Sequence, residues 1–543
     1  MDSLKNKKIL LATWGLADKD NFECRDWIPL FKKMFGKLIT FTMRNYYYHH
    51  GKEALNSEFL RIIQTEKPDY LLLGPGFYSQ LDIQTISKIK TASPLTKTII
   101  EFGDDDWRFE DWSRYYALFF DYIITTKKET EIYKNDGIKR AIFLHGMNTN
   151  FFKPMNLEKK YDVSFIGRPV ADRYEYIKFL KENGIKIRLF GIGWQTYPDL
   201  KEIYEGVLYN EDYPRVINQS KININFSKTL YKKGAEGQLK GRSLEVPACN
   251  SFMLNEYTDR NVEFLNKKKE INFRSKEELL EKIKYYLKHE KERERIAKDV
   301  YDYMTKHYAW DILFGNFFKR IEKDKSESFK LPNISKKIEK ISKKDFNLSY
   351  DELAKKLKNI DYIFFDKDHP EYLLYRNYLQ AYSLHITKKP ISCCDYFVNS
   401  PGLGDYMLSM IKESFYTLNK NDFYKILNVN QLMVEKDFFL KNIENFKKLF
   451  LGKNVDLINE ENTAFVTIPL VRVSKIPSVN YSSLKKALHM NFIDMLFYLF
   501  YRKKIDSYLF SFLLIFLRKN AVRKYLVDYL KDTKSLSNIM KTF

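Results

Sequence analysis

The hydrophobic positions of the first 150 residues fall in short unbroken runs. KKILLATWGL, KLITFT, DYLLLGPG, TKTIIEFG, DYIITT and RAIFLHGM are apolar almost throughout, so each predicts a strand buried on both faces. GKEALNSEFLRIIQTEKP and DWSRYYALFF lie between them with helical character. That alternation predicts a parallel sheet with helices on either side. The pattern restarts near residue 151: KYDVSFIGR, IKIRLFGIGW and KININFS are strands, with RYEYIKFLKENG and EDYPRVINQS as helices. GRSLEVPACNSFMLNEY then reads as a helix passing into a strand. A long helix begins at SKEE, where Ser275 and Glu278 have capping-box spacing and Leu279, Ile283, Tyr286 and Leu287 recur at helical spacing. The expectation is an α/β protein with two Rossmann-like domains, residues 1–150 and 151–322. A polar, lysine-rich linker follows at 323–345, and then a mainly helical extension at 346–543. No repeat of fixed period is visible.

Charge narrows the classes of partner. The 543 residues carry a formal charge of +22, with 44% hydrophobic and 30% charged residues. The lysines are spread with glutamates through stretches such as KEELLEKIKYYLKHEKERERIAKDV, which is how an ordinary solvated face looks. No nucleic-acid-binding pattern accompanies them, so nucleic acid is not an expected partner, while a phosphate-bearing substrate stays open. The first residues make a poor signal peptide and no run reaches the ~18 apolar residues needed to cross a bilayer, so the expected location is the cytoplasm. Cys24, Cys249, Cys393 and Cys394 show no CxxC and no nearby histidine cluster, which suggests neither a disulfide framework nor a zinc site. Cys393 and Cys394 read as two small residues of one buried strand. Near the C-terminus, NFIDMLFYLFYRKKIDSYLFSFLLIFLRKNAVRKYL joins two apolar stretches, each too short to span, among Arg502, Lys503, Lys504, Arg518, Lys519, Arg523 and Lys524. It is either a helix pair in peripheral contact with the inner face of an anionic membrane or a bundle core with basic ends.

Two α/β domains in tandem place a cleft between the C-terminal ends of their strands. Neither domain has GxGxxG; the GxG at Gly191 and Gly193 is a weak signal. Glu245 is the informative residue, because an unpaired carboxylate inside a small, apolar run costs several kcal/mol unless it is exposed or held for a partner. Gly234, Gly237 and Gly241 precede it in a glycine-rich approach with Lys240 and Arg242. Free N–H groups at the helix start and two cations suit a phosphate, and a carboxylate one turn on suits vicinal ribose hydroxyls. Together they suit a nucleoside diphosphate. Asp104, Asp105 and Asp106 follow the strand TKTIIEFG. They are candidates for an acceptor base or acceptor hydroxyl ligand, for a helix N-cap, or for a DxD metal site. His145, after RAIFL, is a further candidate for the cleft.

LKGRSLEVPACNSFMLNEY resembles the donor-site segment of group 1 glycosyltransferases with the GT-B fold, in particular the CgeB-like (spore maturation protein-like) branch. FGDDDWRFEDWSRYYALFFDYIITT, LHGMNTNFFKP and YDVSFIGRPVADRYEYIKFL resemble other segments of that branch in the same order, over roughly residues 5 to 320. Asn250 stands where glycine is usual, which suggests a changed turn. The resemblance implies a metal-independent glycosyltransferase without a cofactor, in which basic side chains neutralise the leaving diphosphate. Arg168, Arg173, Lys240 and Arg242 are then the candidates. Such enzymes often carry a second glutamate seven residues before the first; that position here is Gly237, with Glu236 one place off. The implied partners are a nucleotide-diphosphate sugar and a glycan, protein or lipid acceptor. The rival reading is a non-catalytic protein that keeps the two-domain shell and binds through its basic C-terminal region.

Overall fold

The structure is a computed structural model that describes residues 4–15, 23–75, 81–103, 105–127, 130–138, 140–228, 239–265, 268–324, 331–367, 370–400, 404–407 and 427–473. Three sheets organise it. The first contains β1 (Lys8–Thr13), β2 (Lys37–Thr42), β3 (Tyr70–Gly74), β4 (Lys97–Phe102), β5 (Tyr122–Thr125) and β6 (Ala141–Phe143), in the order β2-β1-β3-β4-β5-β6. All its pairings are parallel. The central runs Ile9–Ala12 and Tyr70–Leu73 are buried throughout, whereas the edge strand β2 is partly exposed along most of its length. Continuous and interrupted apolar patterns thus sort the strands into centre and edge.

The second sheet contains β7 (Tyr161–Ile166), β8 (Ile187–Phe190), β9 (Tyr204–Gly206), β10 (Ser220–Asn225), β11 (Met253–Glu256) and β12 (Asn272–Phe273). It is also parallel, in the order β12-β11-β10-β7-β8-β9. The two Rossmann-like domains follow one another along the chain, each with its own six-stranded parallel sheet. Only the short strands β9 and β12 escape a reading of the sequence. The helix expected at SKEE is two, Lys276–Lys288 and Glu290–Tyr308; the Ser275 hydroxyl accepts from the Glu278 N–H at 3.2 Å.

The chain crosses between these domains twice, and the two crossings touch. Met147 and Ala309 form a parallel bridge, with the Met147 N–H donating to the Tyr308 carbonyl and the Trp310 N–H to the Met147 carbonyl, both at 3.0 Å. The helix Trp310–Lys323 then returns to the first domain, burying Phe314, Phe317, Phe318 and Ile321 against Trp27, Phe31, Phe35 and Tyr70. Phe31 lies 4.8 Å from Phe314 and Phe35 4.9 Å from Phe318, ring to ring and edge-on, a favoured aromatic geometry.

The last region differs from the expectation. Its third sheet contains β13 (Ile338–Ile341), β14 (Tyr362–Phe365), β15 (Glu371–Tyr372), β16 (Ile391–Ser400), β17 (Gly404–Met407), β18 (Leu432–Glu435) and β19 (Thr463–Val473). The order is β13-β14-β18-β16-β19-β15, with β17 paired to β16. It is mixed: β13 and β14 are parallel, as are β16 and β19, while β18 runs antiparallel to both its neighbours. Residues 346–473 are therefore not mainly helical in their described part, and the supposed linker contains a strand, β13. The reason is legible afterwards: β13 is an edge strand, and lysines and glutamate in KKIEKISKK protect such an edge from further pairing. Cys393 and Cys394 are buried in β16, as the sequence reading has them. The basic, apolar segment from Asn491 to Leu526 lies outside the described residues; among the described residues no helix is long and apolar enough to cross a membrane.

This third region is fused to the first domain. Leu379, Tyr382, Val466 and Val471 share one buried cluster with Trp112, Tyr115 and Tyr116. The Tyr382 hydroxyl donates to the Asp136 carbonyl at 3.0 Å, and Arg108 donates to the Thr467 hydroxyl at 3.1 Å.

Gly146, beside the crossing, is packed so closely that a Cβ there would stand 2.5 Å from Trp310. Gly146→Ala should therefore destabilise the protein by roughly 1–3 kcal/mol, the usual effect of overpacking. Chemical denaturation checks this, and an unchanged midpoint would show the contact to be slack.

Candidate functional site

The helix Arg242–Ala248 follows Gly241 and leads through a turn into β11. Ser243, Leu244, Val246, Pro247 and Ala248 are buried, so its fixed face lies against the sheet. Asn225, at the end of β10, donates to the Ser243 hydroxyl at 3.1 Å and to Asn255 on β11 at 2.5 Å. Arg242 and Glu245, three residues apart, remain on the other face with side chains 15% and 21% exposed. That spacing resolves the puzzle of a carboxylate in an apolar run: it sits on the face the sheet does not cover, beside its own cation.

Glu245 is held on one oxygen. Its Oε2 accepts from the Tyr213 hydroxyl at 2.7 Å and lies 3.3 Å from Arg242 Nη1, while Oε1 lies 3.3 Å from where a Cβ on Gly241 would stand. Arg242 donates to the Ile166 carbonyl at 2.9 Å and covers the Tyr213 ring at 4.5 Å. Burial raises the Glu245 pKa, opposed by Arg242 and then by Arg25; Asp26 adds to the rise. Arg25 and Asp26 belong to the first domain, in a π-helical turn Glu23–Trp27 after β1. Both domains therefore contribute to the electrostatics at Glu245. Arg25 grips Asp26 at 2.6 and 2.9 Å and covers the rings of Phe151 and Phe152, and Phe152 lies 5.6 Å from Tyr213.

The other residues singled out from the sequence divide. Lys240 and Gly241 directly precede the helix, but the N–H groups of Ser243, Leu244 and Glu245 already donate to the Lys240 and Gly241 carbonyls at 2.8–3.0 Å. The expectation of free N–H groups there is corrected at these three: Gly241 is itself helical, at φ −50° and ψ −33°, so the bonds close within the turn. Arg168 stands exposed just past β7. Arg173 is buried, donating to the carbonyls of Arg168 at 3.1 Å and Phe226 at 3.3 Å. Burial lowers its pKa to about 10, against Glu256. Arg173 thus ties the ends of β7 and β10 together. His145, from the first domain, bonds to the Lys240 backbone and lies 6.3 Å from the Phe264 ring, with Nε2 buried and without a hydrogen-bond partner among the described residues. Burial brings its pKa down to about 4, so the ring is neutral at pH 7.

Asp105 is 1% exposed, accepting from the Thr125 hydroxyl at 2.5 Å and the Tyr133 hydroxyl at 2.6 Å. It anchors the C-terminal end of β5 and the helix Glu131–Asn135. Asp104, Gly234, Glu236 and Gly237 lie outside the described residues, as does the side chain of Asp106. Asn250 has a φ of +51°, the left-handed conformation that asparagine tolerates and glycine favours. Among the described residues no group of three or more His, Cys, Asp or Glu side chains gathers to hold a metal ion.

Several contributors were missed from the sequence. Tyr213 sits in a helix that carries no distinguishing signal. Glu256, ending β11, accepts from the Ser227 and Lys228 N–H groups at 2.8 and 2.9 Å and pairs with Lys228 at 3.0 Å. The signal for Glu23, Arg25 and Asp26 was present: three charged residues lie just beyond the first strand, where α/β sheets place ligands.

Residues 173–313 match the family model described as glycosyl transferase-like. The match covers most of the second domain, which is thus similar to glycosyl transferase-like domains. No curated protein matches the chain by sequence. Among solved structures, the chain is similar to Anabaena HepE in complex with UDP and glucose, with 11% identity, 59% of this chain and 100% of that one covered, and a TM-score of 0.43. A glycosyltransferase from Rickettsia africae gives 13%, 59%, 99% and 0.42. The T4 phage β-glucosyltransferase gives 16%, 58%, 100% and 0.39.

Two substitutions test the local geometry. Asn250→Ala should cost about 1–2 kcal/mol in thermal or chemical denaturation, because alanine pays the left-handed strain in full, and Asn250→Gly should not. Asp105→Ala should lower the melting temperature by orphaning the hydroxyls of Thr125 and Tyr133; undiminished stability would deny the anchor.

Proposed function

We propose that this protein is a glycosyltransferase that moves a sugar from a nucleotide-diphosphate sugar to a glycan, protein or lipid acceptor without a metal. The observation that carries the reading is Glu245: a carboxylate bound on one oxygen by Tyr213 and Arg242, within a glycosyl transferase-like domain, facing charged residues of the other domain across the cleft. Its second oxygen is the one that would accept from the hydroxyls of the bound donor. The ordered segments of residues 5 to 320 favour the CgeB-like branch within this class.

In the reaction, the acceptor oxygen bonds to the sugar's anomeric carbon as the bond from that carbon to the diphosphate oxygen breaks. Negative charge accumulates on the diphosphate, and preorganised cations stabilise it in a water-poor cleft. Arg242, Lys240 and Arg168 are the side chains we assign to that charge. Arg173 supports them from behind by holding the strand ends. Neutral His145 offers Nε2 to a sugar or acceptor hydroxyl. Asp104 and Glu236 remain assigned to the acceptor and sugar side, while Asp105, buried beneath the Thr125 and Tyr133 hydroxyls, holds the end of β5.

A thermal-shift screen with UDP, GDP, ADP and CMP should show one nucleotide raising the melting temperature by mass action. Glu245→Gln should weaken binding of that nucleotide by roughly 10- to 100-fold, the loss of a charge-assisted hydrogen bond worth ~1.5–3 kcal/mol. Turnover should persist in EDTA. An undiminished nucleotide response in Glu245→Gln would refute the donor-site assignment.

A further inference from the structure

The turn Glu23–Trp27 of the first domain is anchored at its end and in its middle. Trp27 is buried and meets the Trp310 ring edge-on at 5.6 Å. Asn148, where the chain first crosses between the domains, donates to the Arg25 carbonyl and to Asp26 Oδ1, both at 3.2 Å. Arg25 grips Asp26 through Nε at 2.6 Å and Nη2 at 2.9 Å, so its guanidinium is fixed, and it lies over the rings of Phe151 at 4.4 Å and Phe152 at 5.0 Å. Those two phenylalanines open the second domain. Phe152 meets Tyr213 edge-on at 5.6 Å, Arg242 lies over the same Tyr213 ring at 4.5 Å, and the Tyr213 hydroxyl donates to Glu245 at 2.7 Å. A line of cation, ring, ring and cation therefore runs from the turn after β1 to the carboxylate of the second domain.

We infer that Arg25 and Asp26 are positioning residues for Glu245, which touch no nucleotide themselves and act on its binding only through that carboxylate. This rests on the donor-site reading above and adds that the first domain tunes it. The line of rings fixes where the Tyr213 hydroxyl stands, and with it which Glu245 oxygen is occupied and which is left for a ribose hydroxyl. The two charges then work in opposite directions. Burial raises the Glu245 pKa; Arg242 and then Arg25 oppose the rise, and Asp26 adds to it. The other titratable groups facing Glu245 are Tyr213, which donates to it, and Cys249, whose thiol is pushed up to about 12 by burial and stays neutral. A ribose hydroxyl donates to the ionised carboxylate and loses that acceptor as the group takes up a proton. Nucleotide binding therefore weakens as pH falls through the raised pKa; Arg25 carries binding to lower pH and Asp26 limits that reach.

The test uses the full chain and whichever of UDP, GDP and ADP raises its melting temperature, with dissociation constants taken by calorimetry between pH 5 and pH 9. At pH 6, Arg25→Met should bind that nucleotide more weakly than the parent and Asp26→Asn more tightly, each by roughly fivefold, the low end of couplings between sites. Arg25→Lys, which keeps the cation, should recover most of the loss. In a Glu245→Gln background the titrating group is gone, so neither change should move the constant beyond about twofold, the usual tolerance for independent substitutions. The nucleotide's terminal phosphate titrates in the same range in every variant and cancels from the comparison. Shifts of one sign in both variants, shifts that persist in Glu245→Gln, or no shift would each overturn the inference, and Asp26→Asn alone decides it should Arg25→Met fail to fold. A parent that binds none of the three nucleotides, or a Glu245→Gln variant that binds as the parent does, would instead overturn the donor-site reading, and the inference with it.

Discussion

The placement of the two α/β domains depends on a contact that admits no side chain. Gly146 lies flat against the Trp310 ring, and from this point the chain makes both of its passages between the α/β domains, joined by the Met147–Ala309 bridge. His145 precedes the contact and reaches the Lys240 backbone of the second domain. Asn148, just after it, donates to the Arg25 carbonyl and to Asp26 at 3.2 Å. One close approach of backbone to ring therefore sets the height of every group that faces another across the gap.

Within that frame, Glu245 shows how a carboxylate is held in a half-buried place. A carboxylate there would raise its pKa and lose its charge unless something offset the burial. Arg242, one turn earlier, supplies most of the offset and is itself held by a carbonyl and a ring, so the pair is rigid. Behind it, buried asparagines on β10, β11 and β12 bond to one another and to Ser243, and Glu256 fixes the backbone after β10. Rigidity of this kind lets a site present charge without reorganising when charge develops.

The parts of this design that were legible in the sequence are those written in periodicity or in a local conflict. Strands buried on both faces read directly as apolar runs, and Glu245 stood out because a carboxylate contradicts its neighbours. Tyr213 left no mark, since its partner is 32 positions away. The third sheet was missed because β13 and β15 are short, polar edges and β16 and β19 are joined by long-range pairing. The segment DDWRFEDWSRYYALFF carries a double signal: Asp105 opens it as a candidate site residue, yet Trp112, Tyr115 and Tyr116 share a buried cluster with residues of the third region. Residues that serve an interface and residues that serve a ligand have the same composition when the interface contains buried tyrosines.

That shared core has a mechanical consequence. The third region, the first domain and the returning helix Trp310–Lys323 are locked into one body by Tyr382, Thr467 and the stacked phenylalanines. Any change in the spacing of the two α/β domains, on the microsecond-to-millisecond scale of domain swings, then falls to the second domain, pivoting on the backbone beside Met147 and Ala309. A ligand that draws Glu245 toward Arg25 would move the lighter partner against a heavy, fixed platform.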